Sequence, residues 1–74
     1  MNQLLEIINQ VLINKGDKPI TSISDSTHLR NELGFDSFNL AELTVRVEEE
    51  FGKDIFESGI INTIGDIRKI IGNE

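Results

Sequence analysis

Apolar residues recur at helical spacing in three stretches of the chain, and no separate strand pattern interrupts them. Over residues 2–15, Leu4, Leu5, Ile8, Val11 and Leu12 fall on one stripe, with Asn2 as candidate N-cap and Gly16 past the end. That pattern predicts an amphipathic helix. The clearest stripe is Leu40, Leu43, Val47 and Phe51, spaced three, four and four apart, which predicts a helix opening at Asp36 or Ser37 and stopping at Gly52. A capping signal at residues 63–66 opens a last helix that buries Ile64, Ile67, Ile70 and Ile71, with Arg68 and Lys69 suited to its negative end.

Two stretches lie between these helices. Residues 16–36 are punctuated by Gly16, Pro19, Thr21, Ser22, Ser24, Asp25, Ser26 and Thr27, yet carry Ile20, Ile23, Leu29, Leu33 and Phe35. They read as a long ordered loop pinned by its apolar residues, with a helical turn near residues 27–32 shortening it; loops of such length tend to be functional. Ile55, Phe56, Ile60 and Ile61 predict a short helix interrupted by Gly59. The expected fold is all-α: a small four-helix bundle of three main helices, one short helix and a long first loop, forming a single domain over residues 1–74.

Length sharpens this picture. A chain of 74 residues buries only about 60% of the surface its unfolded form exposes. With no Cys and one His, disulfide and metal staples are closed, so packed helices must hold the fold. No Asp-x-Asp-x-Asp-Gly loop or His/Cys cluster is present, and no metal site is expected. No long apolar run or export signal is seen, and a cytoplasmic monomer is expected.

Charge excludes some partners. The formal net charge is −6, with three basic against five acidic residues before Ser37 and four against eight from Ser37 onward. Such a surface repels phosphate backbones and anionic headgroups, so neither nucleic acid nor membrane is an expected partner, whereas basic protein surfaces are.

The candidate chemistry lies at Leu33-Gly34-Phe35-Asp36-Ser37-Phe38, where a serine stands at the junction of the long loop and a helix N-terminus. Unpaired N–H groups and the positive end of the helix dipole suit a phosphate joined to the serine oxygen there. Asp36 or Ser37 could equally be an ordinary N-cap. An unaided nucleophile is a poor reading, because His28 is nine residues upstream and the second glycine of a Gly-x-Ser-x-Gly elbow is missing. Projected at about 100° per residue, Phe38, Glu42, Val45 and Glu49 share the face opposite the buried stripe. Apolar contacts ringed by carboxylates suit brief docking to basic enzymes. Phe38 could instead fold back on the loop, leaving residues 48–50 as a solvated acidic run.

At these residues the sequence resembles the acyl carrier protein family, whose signature is Asp-Ser-Leu at the head of an acidic helix. The matching stretch runs from Leu33 through Asp36, Ser37, Glu42, Glu48, Glu49 and Glu50 to Phe51, and the resemblance extends over the whole chain. It implies that Ser37 receives 4′-phosphopantetheine from coenzyme A through a phosphopantetheinyl transferase, that Asp36 belongs to the transferase's recognition site, and that Glu42, Glu48 and Glu49 dock partners; the projection adds Phe38 and Val45 to that docking face. An acyl-loading ligase or transferase and downstream acyl-processing enzymes are the implied partners, in fatty-acid, polyketide or aminoacyl chemistry, with no catalytic residue of the chain's own. Phe38 in place of leucine, Asn39 where an acidic residue is common, and Arg46 within the helix depart from the family pattern. Each is expected to alter the face that general fatty-acid enzymes read, which points to a specialised carrier. The alternative is a non-catalytic helical interaction module with Ser37 unmodified or phosphorylated.

Overall fold

The computed structural model describes residues 3–57 and 61–72. Among these there are three helices: α1 (Gln3–Asn14), α2 (Ser37–Phe51) and α3 (Ile64–Ile71). Among the described residues the one β-type pairing is an isolated antiparallel bridge between His28 and Thr63. None of the helices is long and apolar enough to cross a membrane.

Helix α1 buries Leu4, Ile7, Ile8, Val11 and Leu12. The sequence stripe had Leu5 where the structure has Ile7, and Leu5 is only half-buried. The apolar arc of this helix is wider than one stripe, and contact with the neighbouring helix decides which edge is covered. Asn2, the expected cap, lies outside the described residues. The side chains Gln3 and Glu50 meet at one end of the α1–α2 pair and Asn14 and Glu42 at the other, so the two helices run antiparallel.

Helix α2 buries Leu40, Leu43 and Val47, with Phe51 half-buried against the same core. It stops at Gly52, whose φ of 70° is left-handed and whose N–H reaches the Glu48 carbonyl at 2.8 Å. Eight residues are too few for a helix to persist alone in water. Helix α3 is held by full burial of Ile64 and Ile67, each worth about 1.5–3 kcal/mol, while Ile70 and Ile71 cover its edge half-buried.

The expected fourth helix is not found in the described residues. Ile55, Phe56 and Glu57 form a turn in which the Phe56 N–H donates to Asp54 Oδ1 at 2.9 Å, Ile55 is buried and Phe56 is exposed. The Asp54 side chain thereby takes an N–H that could otherwise enter a helix. Gly59 and Ile60 lie outside the described residues.

The long connection is anchored as its composition predicts, through buried Leu29 and Phe35 and half-buried Ile20, Ile23 and Leu33. A second anchor is polar. The Asn9 side chain donates to the Ile20 carbonyl at 2.9 Å and accepts from the Ile20 N–H at 2.7 Å, so one amide on α1 imitates a strand partner for the loop. The turn expected near residues 27–32 is present, with Glu32 and Leu33 N–H groups both donating to the His28 carbonyl.

Candidate functional site

The serine is positioned by what stands on either side of it. Phe35 is buried two residues before Ser37, Asn39 and Leu40 are buried just after, and Ser37 and Phe38 are exposed between them. Gly34 turns the chain into this arrangement. Its φ is +70°, which non-glycine residues rarely adopt, and its N–H donates to the Arg30 carbonyl at 3.1 Å while that of Phe35 donates to Leu29 at 3.0 Å.

Asp36 is the N-cap of α2. Its Oδ1 accepts from the Asn39 N–H at 2.9 Å, and the Asn39 side-chain oxygen accepts from the Asp36 N–H at 3.0 Å, closing a reciprocal capping box. The choice between Asp36 and Ser37 as cap is thereby resolved in favour of Asp36. Ser37 is the first helical residue, and its hydroxyl has no hydrogen-bond partner among the described residues. The backbone N–H groups of Ser37 and Phe38 also find no acceptor there. Two open donors and the positive helix end thus lie beside an exposed hydroxyl. These residues fit a phosphate ester: the oxygen is accessible, no structural bond must break to free it, and the donors are uncommitted.

Asn39 is not part of the exposed face, contrary to the sequence expectation. It is 7% exposed and spends its side chain on the capping box. The family pattern shows only an amide where an acid is common; the bonds with Asp36 and the burial show the amide engaged at the helix start.

The face downstream of Ser37 divides in two. Phe38 is 78% exposed and Val45 53%, so Phe38 does not fold back on the loop. Ala41 is exposed between them, and Glu48 and Glu49 are exposed a turn beyond. Glu42, on the same side of the helix, is half-buried and already bonded. Its Oε2 accepts from Arg46 Nε at 2.9 Å and from Asn14 Nδ2 of α1 at 2.7 Å. The hydrogen bonds of His28 do not involve the serine: its Nδ1 accepts from the Asn31 N–H at 3.2 Å and its backbone N–H donates to Glu32 Oε1 at 2.9 Å. Among the described residues no group of three or more His, Cys, Asp or Glu side chains is arranged to hold a metal ion.

Sequence reasoning missed Asn9 and Asn14, the two α1 amides that tie the helix to the loop and to Glu42. The signal was present in both cases as a polar amide next to an apolar arc.

No solved structure matches this chain. A family model described as a phosphopantetheine attachment site matches residues 2–71, nearly the whole sequence. The exposed serine at a helix start agrees with what such a domain requires. The chain belongs to the phosphopantetheine-attachment family of carrier proteins, non-catalytic domains that hold acyl groups on a covalently attached 4′-phosphopantetheine.

Proposed function

We propose that Ser37 is the attachment point and that this chain, acting as one domain over residues 1–74 and as a cytoplasmic monomer, serves a specialised acyl or aminoacyl pathway. The observation that carries the first claim is an exposed Ser37 hydroxyl without a hydrogen-bond partner among the described residues, beside the open N–H groups of Ser37 and Phe38. When bound, the prosthetic group supplies a thiol that takes cargo as a thioester.

The chain's own residues supply attachment and presentation. Ser37 Oγ holds the phosphate, and the first-turn N–H groups of Ser37 and Phe38 offset its charge. Asp36 and Asn39 fix the first turn through the capping box, so the backbone that carries the hydroxyl is held in place for a transferase. Asp36 also offers that enzyme a carboxylate next to the serine. Phe38, Val45, Glu48 and Glu49 form the face that meets partner enzymes, apolar at its centre and acidic at its far end.

The specialised pathway is supported by Phe38 and Arg46. A large exposed ring beside the attachment serine calls for a larger partner pocket than leucine would. Arg46 places a cation in an otherwise acidic helix.

The test is intact mass and peptide mapping after incubation with coenzyme A and a phosphopantetheinyl transferase. The expected outcome is gain of one phosphopantetheine group on the Ser37 peptide and none in Ser37→Ala. A folded sample that gains nothing, or a Ser37→Ala protein that still gains the group, would overturn the assignment. Phosphate alone on Ser37 in protein from the native host would favour a regulatory role for the same open helix end.

A further inference from the structure

Carboxylates on α2 stand in two environments that sequence does not separate. Glu42, Arg46 and Glu50 occupy one row at i, i+4 and i+8, on the flank facing α1. At the two ends of that row α1 supplies an amide: Asn14 Nδ2 reaches Glu42 at 2.7 Å, and Gln3 Nε2 reaches Glu50 at 3.1 Å. Between them Arg46 lines a shallow groove with Ile7, Glu49 and Glu50, and its Nε binds the same Glu42 oxygen that Asn14 binds. The Glu48 and Glu49 side chains are exposed and make no hydrogen bond among the described residues.

We propose that Arg46 is a specificity-determining residue that withdraws Glu42 from partner recognition and converts it into a clamp between α1 and α2. Resting on the carrier reading of Ser37, this deepens it by naming the partner chemistry. Glu42 Oε2 already receives two donors, one of them cationic, and the side chain is only 21% exposed. A partner's Arg or Lys is left only Oε1 of a carboxylate whose charge is already offset, and it meets the repulsion of Arg46 there. What stays open is the ridge Phe38, Ala41 and Val45 at i, i+3 and i+7, ending in Glu48 and Glu49. The fitting partner is an enzyme with an apolar groove for that ridge and basic groups only at the end that meets Glu48 and Glu49. A uniformly basic docking surface fits poorly, because it faces Arg46 midway along the helix.

The probe is a broad-specificity phosphopantetheinyl transferase with coenzyme A, read as kcat and KM for the carrier. The proposal requires coupling between residues 42 and 46. The rise in KM caused by Glu42→Gln should be about threefold or more larger in the Arg46→Leu protein than in the parent, with kcat little changed. Arg46→Lys, which keeps a cation at i+4, should restore the parent behaviour. The paired change Glu48→Gln with Glu49→Gln should raise KM in both backgrounds alike. An equal cost of Glu42→Gln in both backgrounds, or coupling that persists with Arg46→Lys, overturns the proposal.

Failure of the attachment reading is distinguishable. If the transferase leaves Ser37 unmodified in every variant, that reading falls while the clamp is judged from thermal melts of Asn14→Ala, Glu42→Ala and the double variant. The two single losses should exceed the double loss in sum, and strict additivity overturns the clamp.

Discussion

The start of α2 and the start of α3 are built from the same device and put to opposite use. Both carry reciprocal capping boxes, Asp36 with Asn39 and Thr63 with Asp66. At α3 the chain then consumes the remaining donors itself: the Ile64 N–H donates to the Thr27 carbonyl at 3.0 Å and the Gly65 N–H to Asp25 at 2.9 Å. The Arg68 side chain adds an ion pair with Asp25 at 2.6 Å, and the His28–Thr63 bridge fastens the same strip of loop. At α2 the corresponding N–H groups, those of Ser37 and Phe38, are open. One helix end is closed by the long loop, and the other, at which the same loop arrives, keeps its first two N–H groups open.

The strongest way to break this contrast is Gly65→Ala. A Cβ there would lie 2.9 Å from the Asp25 carbonyl oxygen and 3.1 Å from its Cβ, so the loop must move off α3. Overpacking of this kind costs about 1–3 kcal/mol. The gain in helix propensity returns at most about 1 kcal/mol. A lowered denaturation midpoint and faster amide exchange at Ile64 are expected, and an unchanged midpoint would mean that the loop is not locked there.

Removing each cap sharpens the comparison at a smaller scale. Asp36→Ala should cost about 1 kcal/mol by leaving the Asn39 backbone N–H without its acceptor, while the Asn39 side chain keeps the backbone N–H of residue 36, and Asp36→Asn should recover most of the loss. Thr63→Ala removes a bond of the same kind, but α3 keeps its two backbone bonds to the loop. Exchange at the first turn should therefore rise more in Asp36→Ala than in Thr63→Ala. Equal rises would show that the loop adds nothing to the α3 end.

The smallest effect is expected in acid. The Asp66 carboxyl is held below the ordinary aspartate range, first by the N–H of Asn62 and then by that of Thr63, which donate to Oδ2 at 2.8 and 3.1 Å. A depressed folded value stabilises above the ordinary range, and that contribution is lost as pH falls through the folded value. Between about pH 5 and pH 2, wild-type protein should therefore lose a small increment of melting temperature that Asp66→Asn does not lose. Parallel acid profiles for the two proteins would remove Asp66 from the closure.

Much of this was legible in the chain. The limits of α2 follow from Asp36, the stripe of Leu40, Leu43 and Val47, and Gly52, because cap chemistry and burial period agree at both ends. Those of α3 follow from Thr63 and Asp66 in the same way. The short fourth helix was not found in the described residues, for apolar residues around a glycine satisfy a turn as well as a helix, and the Asp54 side chain bonds the Phe56 N–H in the described part of that segment.

The sequence by itself determined where the long α2 begins, that a serine stands beside an aspartate at its start, and that the helix is acidic with exposed apolar positions. These depend on local spacing and capping, which the neighbours in sequence settle. The capping box that engages Asn39 is local in the same sense, since its partner Asp36 is three residues away. Tertiary structure decided two things that no helical projection contains: that Glu42 is claimed by Asn14 as well as by Arg46, and that Ser37 and Phe38 keep their N–H groups open while Ile64 and Gly65 do not. Both depend on segments far away in sequence, which a wheel drawn on one helix does not contain.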